Sequence, residues 1–324
     1  MIKKLLIVSL MTSITTMALN AKNCKQTLRD GSIATFTVTD NICDYSYPSN
    51  VIGKMTVKYK NGKLKRAGSY KNGKREGVNK EYFKNGKLED SVTYKNGKKE
   101  GPFKSYFENG QLSTSTTFKN DKHNGIYKNY YKNGKIKFEA SYNNGIPTGT
   151  HKWLNQKGTI ANETIYENGK EISKKYYYDN GKIKGEEIFS ANNRSIKNYF
   201  PNGKIKYTAT YKGNYIFGPE KEYLENGTLV KDFNWANGKK SGLEVIVSRQ
   251  GYKYRREVIY KNNDVISEKK FSNNLLSLES TSKNNKRVKN YYNYNQDGKL
   301  TSIYSKYAKK TTYYKLDGSI DRVE

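Results

Sequence analysis

Two cysteines, two histidines and nine arginines among 324 residues leave little for chemistry to use. Neither His123 nor His151 stands near Cys24 or Cys43, so no group of side chains has metal-ligand spacing and no metal is expected. No phosphate-cradling loop or nucleophile elbow occurs. The adjacent Glu186 and Glu187 read as solvated strand residues, and the two histidines as polar substitutions at non-equivalent positions. Catalytic residues, an enzymatic activity and cofactors are therefore not expected. No helix-period segment or capping box follows residue 21. Apolar runs are equally scarce. The one sizeable stretch runs from Leu5 to Leu19, after Lys3-Lys4 and before Ala21, and is too short and too rich in Ser and Thr to span a membrane. It reads as a secretory signal peptide, residues 1–21, followed by a periplasmic, cell-surface or secreted product with no transmembrane span. In an oxidising compartment Cys24 and Cys43 are expected to form a disulfide, whose loop closure is worth roughly 3 kcal/mol. A hydrophobic content of 34% supplies a single globular core poorly.

What the chain does have is glycine and aromatic residues on a fixed beat. Gly62, Gly86, Gly110, Gly134 and Gly158 lie 24 residues apart; Gly73, Gly97, Asp121, Gly145 and Gly169 interleave with them. Gly53, Gly77, Gly101, Gly125 and Gly149 keep the same period. Such self-similarity marks a repeat array. Asn-Gly between short aromatic and β-branched runs signals a hairpin, and a two-residue type I′ turn is expected at Asn85-Gly86. That turn would pair Lys84 with Lys87 and Phe83 with Leu88, and likewise Tyr59 with Leu64, Phe107 with Leu112 and Tyr131 with Ile136. The period of two puts Leu88, Asp90, Val92 and Tyr94 on one side with Gly77, Asn79, Glu81 and Phe83. Glycines on that side would let neighbouring rings lie over bare backbone. The fold class expected is all-β: an elongated repeat array of antiparallel β-hairpins in 24-residue units, forming a twisted, curled single-layer sheet.

Residues 22–50, with the strand-like run Ile33–Val38, are expected to cap an array over 51–243. Between Lys170 and Ile196 the beat stumbles, which predicts a kink without a change of domain. From 244 to 324 the units degenerate into further hairpins and a C-terminal cap. There Asn262-Asn263, Asn273-Asn274 and Asn284-Asn285 stand where Asn-Gly stood.

Sixty basic against 30 acidic residues give a net charge of +30, or +28 once the leader's two lysines are removed. Lysines flank turns in opposed pairs such as Lys71/Lys74, Lys84/Lys87, Lys95/Lys98 and Lys119/Lys122. Such charge has a bland reading, solvated lysines in a composition biased to Lys, Asn, Tyr and Ile, and a functional one, a field that gathers polyanions. Export and scarce arginine argue against nucleic acid and favour an anionic surface glycan, polymer or lipid headgroup.

The motifs Tyr-x-Asn-Gly-Lys-x-x-Gly and Tyr-Phe-x-Asn-Gly-Lys-Leu resemble the variant MORN repeat, found in bacterial proteins often labelled YwqK-family antitoxins. The resemblance covers about 51–243 and continues weakly beyond. It implies a β-hairpin array used for protein or membrane contact, with no catalytic residues to carry over; the antitoxin label implies neutralising a toxin by direct binding. The reading favoured here is a non-enzymatic exported binding protein at the bacterial envelope or outside the cell, with a protein, anionic glycan or lipid headgroup as partner. The alternative is a periplasmic antitoxin or immunity protein. On an aromatic face, Tyr70, Phe83, Tyr94, Phe107, Phe118, Tyr131 and Tyr142 are the candidate contacts. Lys84, Lys87, Lys95 and Lys98 are the candidate anion contacts.

Overall fold

A computed structural model describes residues 21–39, 43–44, 51–247, 254–283, 286–315 and 317–324. The expected leader lies outside them except for Ala21, as do Asn284-Asn285. Among the described residues there are 27 strands and no helix. Two compact units are present, one ending at Glu171 and one beginning at Ile172. The division falls inside the stumbling stretch, where unchanged composition gave no sign of it.

In the first unit β1 (Lys22–Thr27), β2 (Ile33–Val38) and β3 (Val51–Lys58) form the beginning of the sheet. The predicted strand Ile33–Val38 is β2. Phe36, Val38, Val51, Met55 and Val57 pack with Cys24 and Tyr70 into a buried hydrophobic cluster. The disulfide between Cys24 and Cys43 is formed, with Cα atoms 5.4 Å apart. Then come β4 (Leu64–Lys71), β5 (Lys74–Tyr82), β6 (Leu88–Lys95), β7 (Lys98–Tyr106) and β8 (Leu112–Lys119). After them are the short β9 (Lys122–His123), β10 (Gly125–Tyr130), β11 (Ile136–Asn143), β12 (Ile146–Leu154) and β13 (Ile160–Glu167). Neighbours pair antiparallel, and each 24-residue unit is two strands and two turns.

The two turns differ, and one departs from expectation. At Lys95-Asn96-Gly97-Lys98 both central residues have positive φ (52° and 82°), and Lys95 faces Lys98, as a type I′ hairpin requires. At Lys84-Asn85-Gly86-Lys87 only Gly86 is left-handed, at φ 91°. The Gly86 N–H donates to the Phe83 carbonyl (2.8 Å) and the Phe83 N–H to the Lys87 carbonyl (2.9 Å). The loop is therefore three residues long, with a glycine bulge, and Leu88 faces Tyr82, not Phe83. The same shift replaces Tyr59/Leu64 by Lys58/Leu64, Phe107/Leu112 by Tyr106/Leu112 and Tyr131/Ile136 by Tyr130/Ile136. The cause is the Asn85 side chain: its Oδ1 accepts the Lys87 N–H at 2.9 Å, an Asx turn that holds Asn85 right-handed.

The third glycine set also does something other than expected. Gly77 has φ 72°, and no atom lies within 4 Å of where its Cβ would be. No ring covers it. Ala67 faces Lys80 while Ser69 faces Glu76, so Gly77, Val78 and Asn79 together oppose Gly68. The glycine is needed for the bulge's backbone, and the bulge leaves Val78 and Ile126 about half exposed (52% and 56%).

Successive units are tied along both edges. At the three-residue loops the Tyr59 hydroxyl donates to the Tyr82 carbonyl (2.6 Å), and Lys63 Nζ to the Asn85 carbonyl (3.0 Å). Lys87 reaches Asn109 (3.0 Å), and Lys135 reaches Lys157 (2.8 Å), in the same way. At the type I′ turns the Gly97 N–H donates to the Arg75 carbonyl (2.9 Å) and the Asn96 N–H to Glu76 (2.8 Å). A bond between neighbouring units recurs at the same spacing, as Lys63 to Asn85 does at Lys87 to Asn109, only if the period is kept. This is why 24 does not drift.

In the second unit, β14 (Lys170–Tyr177), through which the division falls, is followed by thirteen strands ending at Ile320–Val323. Among them β15 (Ile183–Ser190) and β16 (Asn193–Tyr199) pair without any shift. That repeat is 22 residues long, Gly181 to Gly203, and the two residues missing are those of the bulge. The Asn pairs take over the type I′ role: Asn262 and Asn263 have φ 52° and 76°, Asn273 and Asn274 47° and 66°.

Candidate binding surfaces

The seven predicted aromatic contacts divide into two rows. Tyr70, Tyr94, Phe118 and Tyr142 come from strands, just before the type I′ turns, and the first three are under a tenth exposed (9%, 8% and 9%). Phe83, Phe107 and Tyr131 stand instead at the three-residue loops. Phe83 and Phe107 wall an open groove of about 610 Å³ with Asn85, Tyr106 and Lys132, and the Tyr131 hydroxyl is bound to the Leu154 carbonyl at 2.7 Å.

The strand row continues into a ring cluster that includes both histidines. Phe118 stacks on His123 at 4.6 Å, and His123 lies 5.2 Å from Tyr127 and 5.4 Å from Tyr142. Tyr142 lies 5.4 Å from His151, which lies 4.4 Å from Tyr166 and 5.9 Å from Phe138. Phe138 is 4.7 Å from Trp153. His151 is 3% exposed, and its Nε2 donates to the Ser141 carbonyl at 3.0 Å. Burial, with the Lys99 charge adding to it, holds His123 below the usual imidazole pKa, so this ring is neutral at neutral pH. Cations cover the row's beginning: Arg75 lies over Tyr94 at 5.0 Å and Lys99 over Phe118 at 4.9 Å.

The histidines were legible after all. His123 falls 24 residues after Lys99 and 48 after Arg75; His151 falls 24 after Tyr127 and 48 after Phe103. Each occupies a position of the repeat whose side chain belongs to the ring face. Comparing the two histidines only with each other hides this.

The lysines divide by edge. Lys87 is committed to the next loop's carbonyl, and Lys84, beside it, is exposed. On the other edge Lys71/Lys74, Lys95/Lys98 and Lys119/Lys122 face each other across three successive type I′ turns. Among the described residues none of these six has an ion-pair or hydrogen-bond partner for its ammonium. The nearby acids are occupied: Glu76 and Glu100 accept the Asn96 and Asn120 N–H groups, and Asp121 accepts that of Lys99, all at 2.8 Å.

No curated protein matches this chain. Two solved structures show the scale of the similarity available. A porin-like protein from Bacteroides uniformis is 10% identical, with 94% of each chain covered and a TM-score of 0.14. TcdB2-TccC3 without its hypervariable C-terminal region is also 10% identical, covering 91% of this chain and 19% of that one, with a TM-score of 0.14. At that score neither bears on fold or function. The MORN repeat variant family, by contrast, matches at 52–72, 75–96, 99–120, 124–144, 170–191 and 196–212. Each matched segment carries the hairpin beat described above. Six variant MORN repeats lie within residues 52–212, with 145–169 outside the matched segments.

Proposed function

We propose that this is an exported, non-enzymatic protein that binds an acidic glycan at the bacterial envelope or outside the cell. The observation that carries the reading is the type I′ edge. Six ammonium groups are held in opposed pairs although like charges across a hairpin cost stability. Successive pairs are about 9.6 Å apart, two strand spacings, a pitch at which every second sugar of an extended acidic polymer meets a pair. Further along the ring face the partly exposed Tyr127, Tyr142 and Trp153 offer surfaces on which sugar rings stack. Export rests on the leader read at 1–21 and is supported by the disulfide, a bond of oxidising compartments.

The test is retention of the mature protein on immobilised polygalacturonate and on neutral dextran. Retention on the acidic resin alone, released as salt screens the charges, is the expected result. Reversing Lys71, Lys95 and Lys98 to Glu should weaken it about tenfold or more. No retention at low salt, or retention indifferent to these reversals, would overturn the reading.

A further inference from the structure

A cavity of about 80 Å³ opens on the ring face, lined by Asp90 and Lys99 among other charged residues and walled by Tyr94 and Phe103. The charges around it are unevenly matched. Glu81 stands directly across from Asp90, and Arg66 takes Glu81, with contacts of 2.7 and 2.8 Å. Arg75 donates to the Tyr94 hydroxyl at 2.7 Å. Asp90, half buried, is left with no hydrogen-bond or ion-pair partner among the described residues. Lys99 places its ammonium over Phe118 and Phe103, at 4.9 and 5.8 Å, with no acceptor. One wall thus holds an acceptor without a donor and the other a donor without an acceptor. Partly buried polar groups in that condition are costly unless something completes them.

We infer that this cavity is a subsite for neighbouring hydroxyl groups of a neutral sugar residue. A hydroxyl both donates and accepts, so one can donate to Asp90 while accepting from Lys99. A carboxylate drawn to Lys99 would crowd Asp90, and an ammonium drawn to Asp90 would crowd Lys99; a neutral hydroxyl is spared both repulsions. The volume admits two or three groups the size of a water, the edge of a sugar ring, with the Tyr94 and Phe103 rings beside it. The inference rests on the glycan reading and specifies what a second, uncharged part of that glycan would contact.

The experiment titrates the mature protein with neutral mannan and galactan oligosaccharides, and separately with polygalacturonate, by calorimetry. Asp90→Asn and Lys99→Met should each weaken the best neutral oligosaccharide about tenfold, and Lys99→Arg should recover part of the loss. All three should leave polygalacturonate binding within about twofold, whereas Lys95→Glu with Lys98→Glu should do the reverse. Circular dichroism and melting temperature confirm that each variant is folded. Neutral oligosaccharides that bind unaffected by Asp90→Asn and Lys99→Met, or do not bind while polygalacturonate does, overturn the subsite alone. If no glycan binds at all, the proposed function falls with it.

Discussion

At the scale of single residues, Gly68 and Gly77, nine residues apart, oppose each other across one bulge and are needed for different reasons. A Cβ on Gly68 would lie 2.0 Å from Asn79 Oδ1, so Gly68→Ala must expel a buried amide. Gly77→Ala meets nothing, yet its φ of 72° costs an L-residue about 1–2 kcal/mol. Urea unfolding should show a loss of that size for Gly77→Ala and a smaller one for Gly77→Asn, since Asn tolerates the left-handed region. Asn79→Ala should rescue Gly68→Ala and leave Gly77→Ala unchanged. Asp90 adds a pH dependence. Desolvation first, then the charges of Glu81 and Glu89, raises its pKa to about 6, above the roughly 3.9 of an unfolded chain. The folded state therefore holds the proton more tightly. Its contribution is fully present below about pH 4 and is lost as pH rises through 6. For a half-exposed group, solvent screening reduces this to about 1 kcal/mol. Melting temperature measured across pH 4 to 8 should fall less steeply in Asp90→Asn than in the parent, and an unchanged slope would refute the assignment.

At the scale of one element, the limit of sequence reading is a single tetrapeptide. Lys-Asn-Gly-Lys at 84–87 and at 95–98 makes two different turns, so local preference cannot decide between them. The neighbouring repeat does. Around Asn96 the Arg75 carbonyl and Glu76 carboxylate take the turn's N–H groups, freeing Asn96 to go left-handed. Around Asn85 the amide side chain is used twice, accepting from Lys87 and donating to the Glu108 carbonyl at 3.4 Å. Hairpins, their count per period and the strand Ile33–Val38 were readable from alternation and turn residues; which residues face each other across half of the turns was not. The same distinction separates the lysines. Lys98→Glu turns a like-charged pair into an attractive one and should raise stability by about 0.2–1 kcal/mol while weakening acidic-glycan binding. Lys87→Glu loses its bond to the Asn109 carbonyl and should lower stability instead. Chemical denaturation of the two single variants side by side decides the matter, and equal signs would refute the division of the two edges.

At the scale of the whole chain, the array was legible because physics makes its period rigid: bonds such as Lys63 to Asn85 and Lys87 to Asn109 both span 22 residues. Stability in such arrays is close to a sum over units and their interfaces, so units should be removable whole. Deleting Val78–Gly101 joins Gly77 to Pro102, brings Asn109 to the distance from Lys63 that Asn85 held, and leaves every turn in its own environment. Circular dichroism should remain that of β-sheet, with a modest fall in melting temperature. Deleting half as much, Val78–Glu89, would put a three-residue loop where the Arg75 and Glu76 groups await a type I′ turn, and should not yield a cooperatively melting protein. A third variant follows from the repeat between Gly181 and Gly203. It lacks the bulge, and its strands pair flush. Tyr178 still reaches a carbonyl of the next loop, that of Tyr199 at 2.8 Å, but among the described residues Lys182 has no partner for its ammonium. Deleting Gly77 and Val78 should reproduce that state: a folded chain, flush between Leu64–Lys71 and the strand after it, with the bond from Lys63 to the next loop lost. If the 24-residue deletion unfolds the protein while the 12-residue one does not, the period is not what holds the units together.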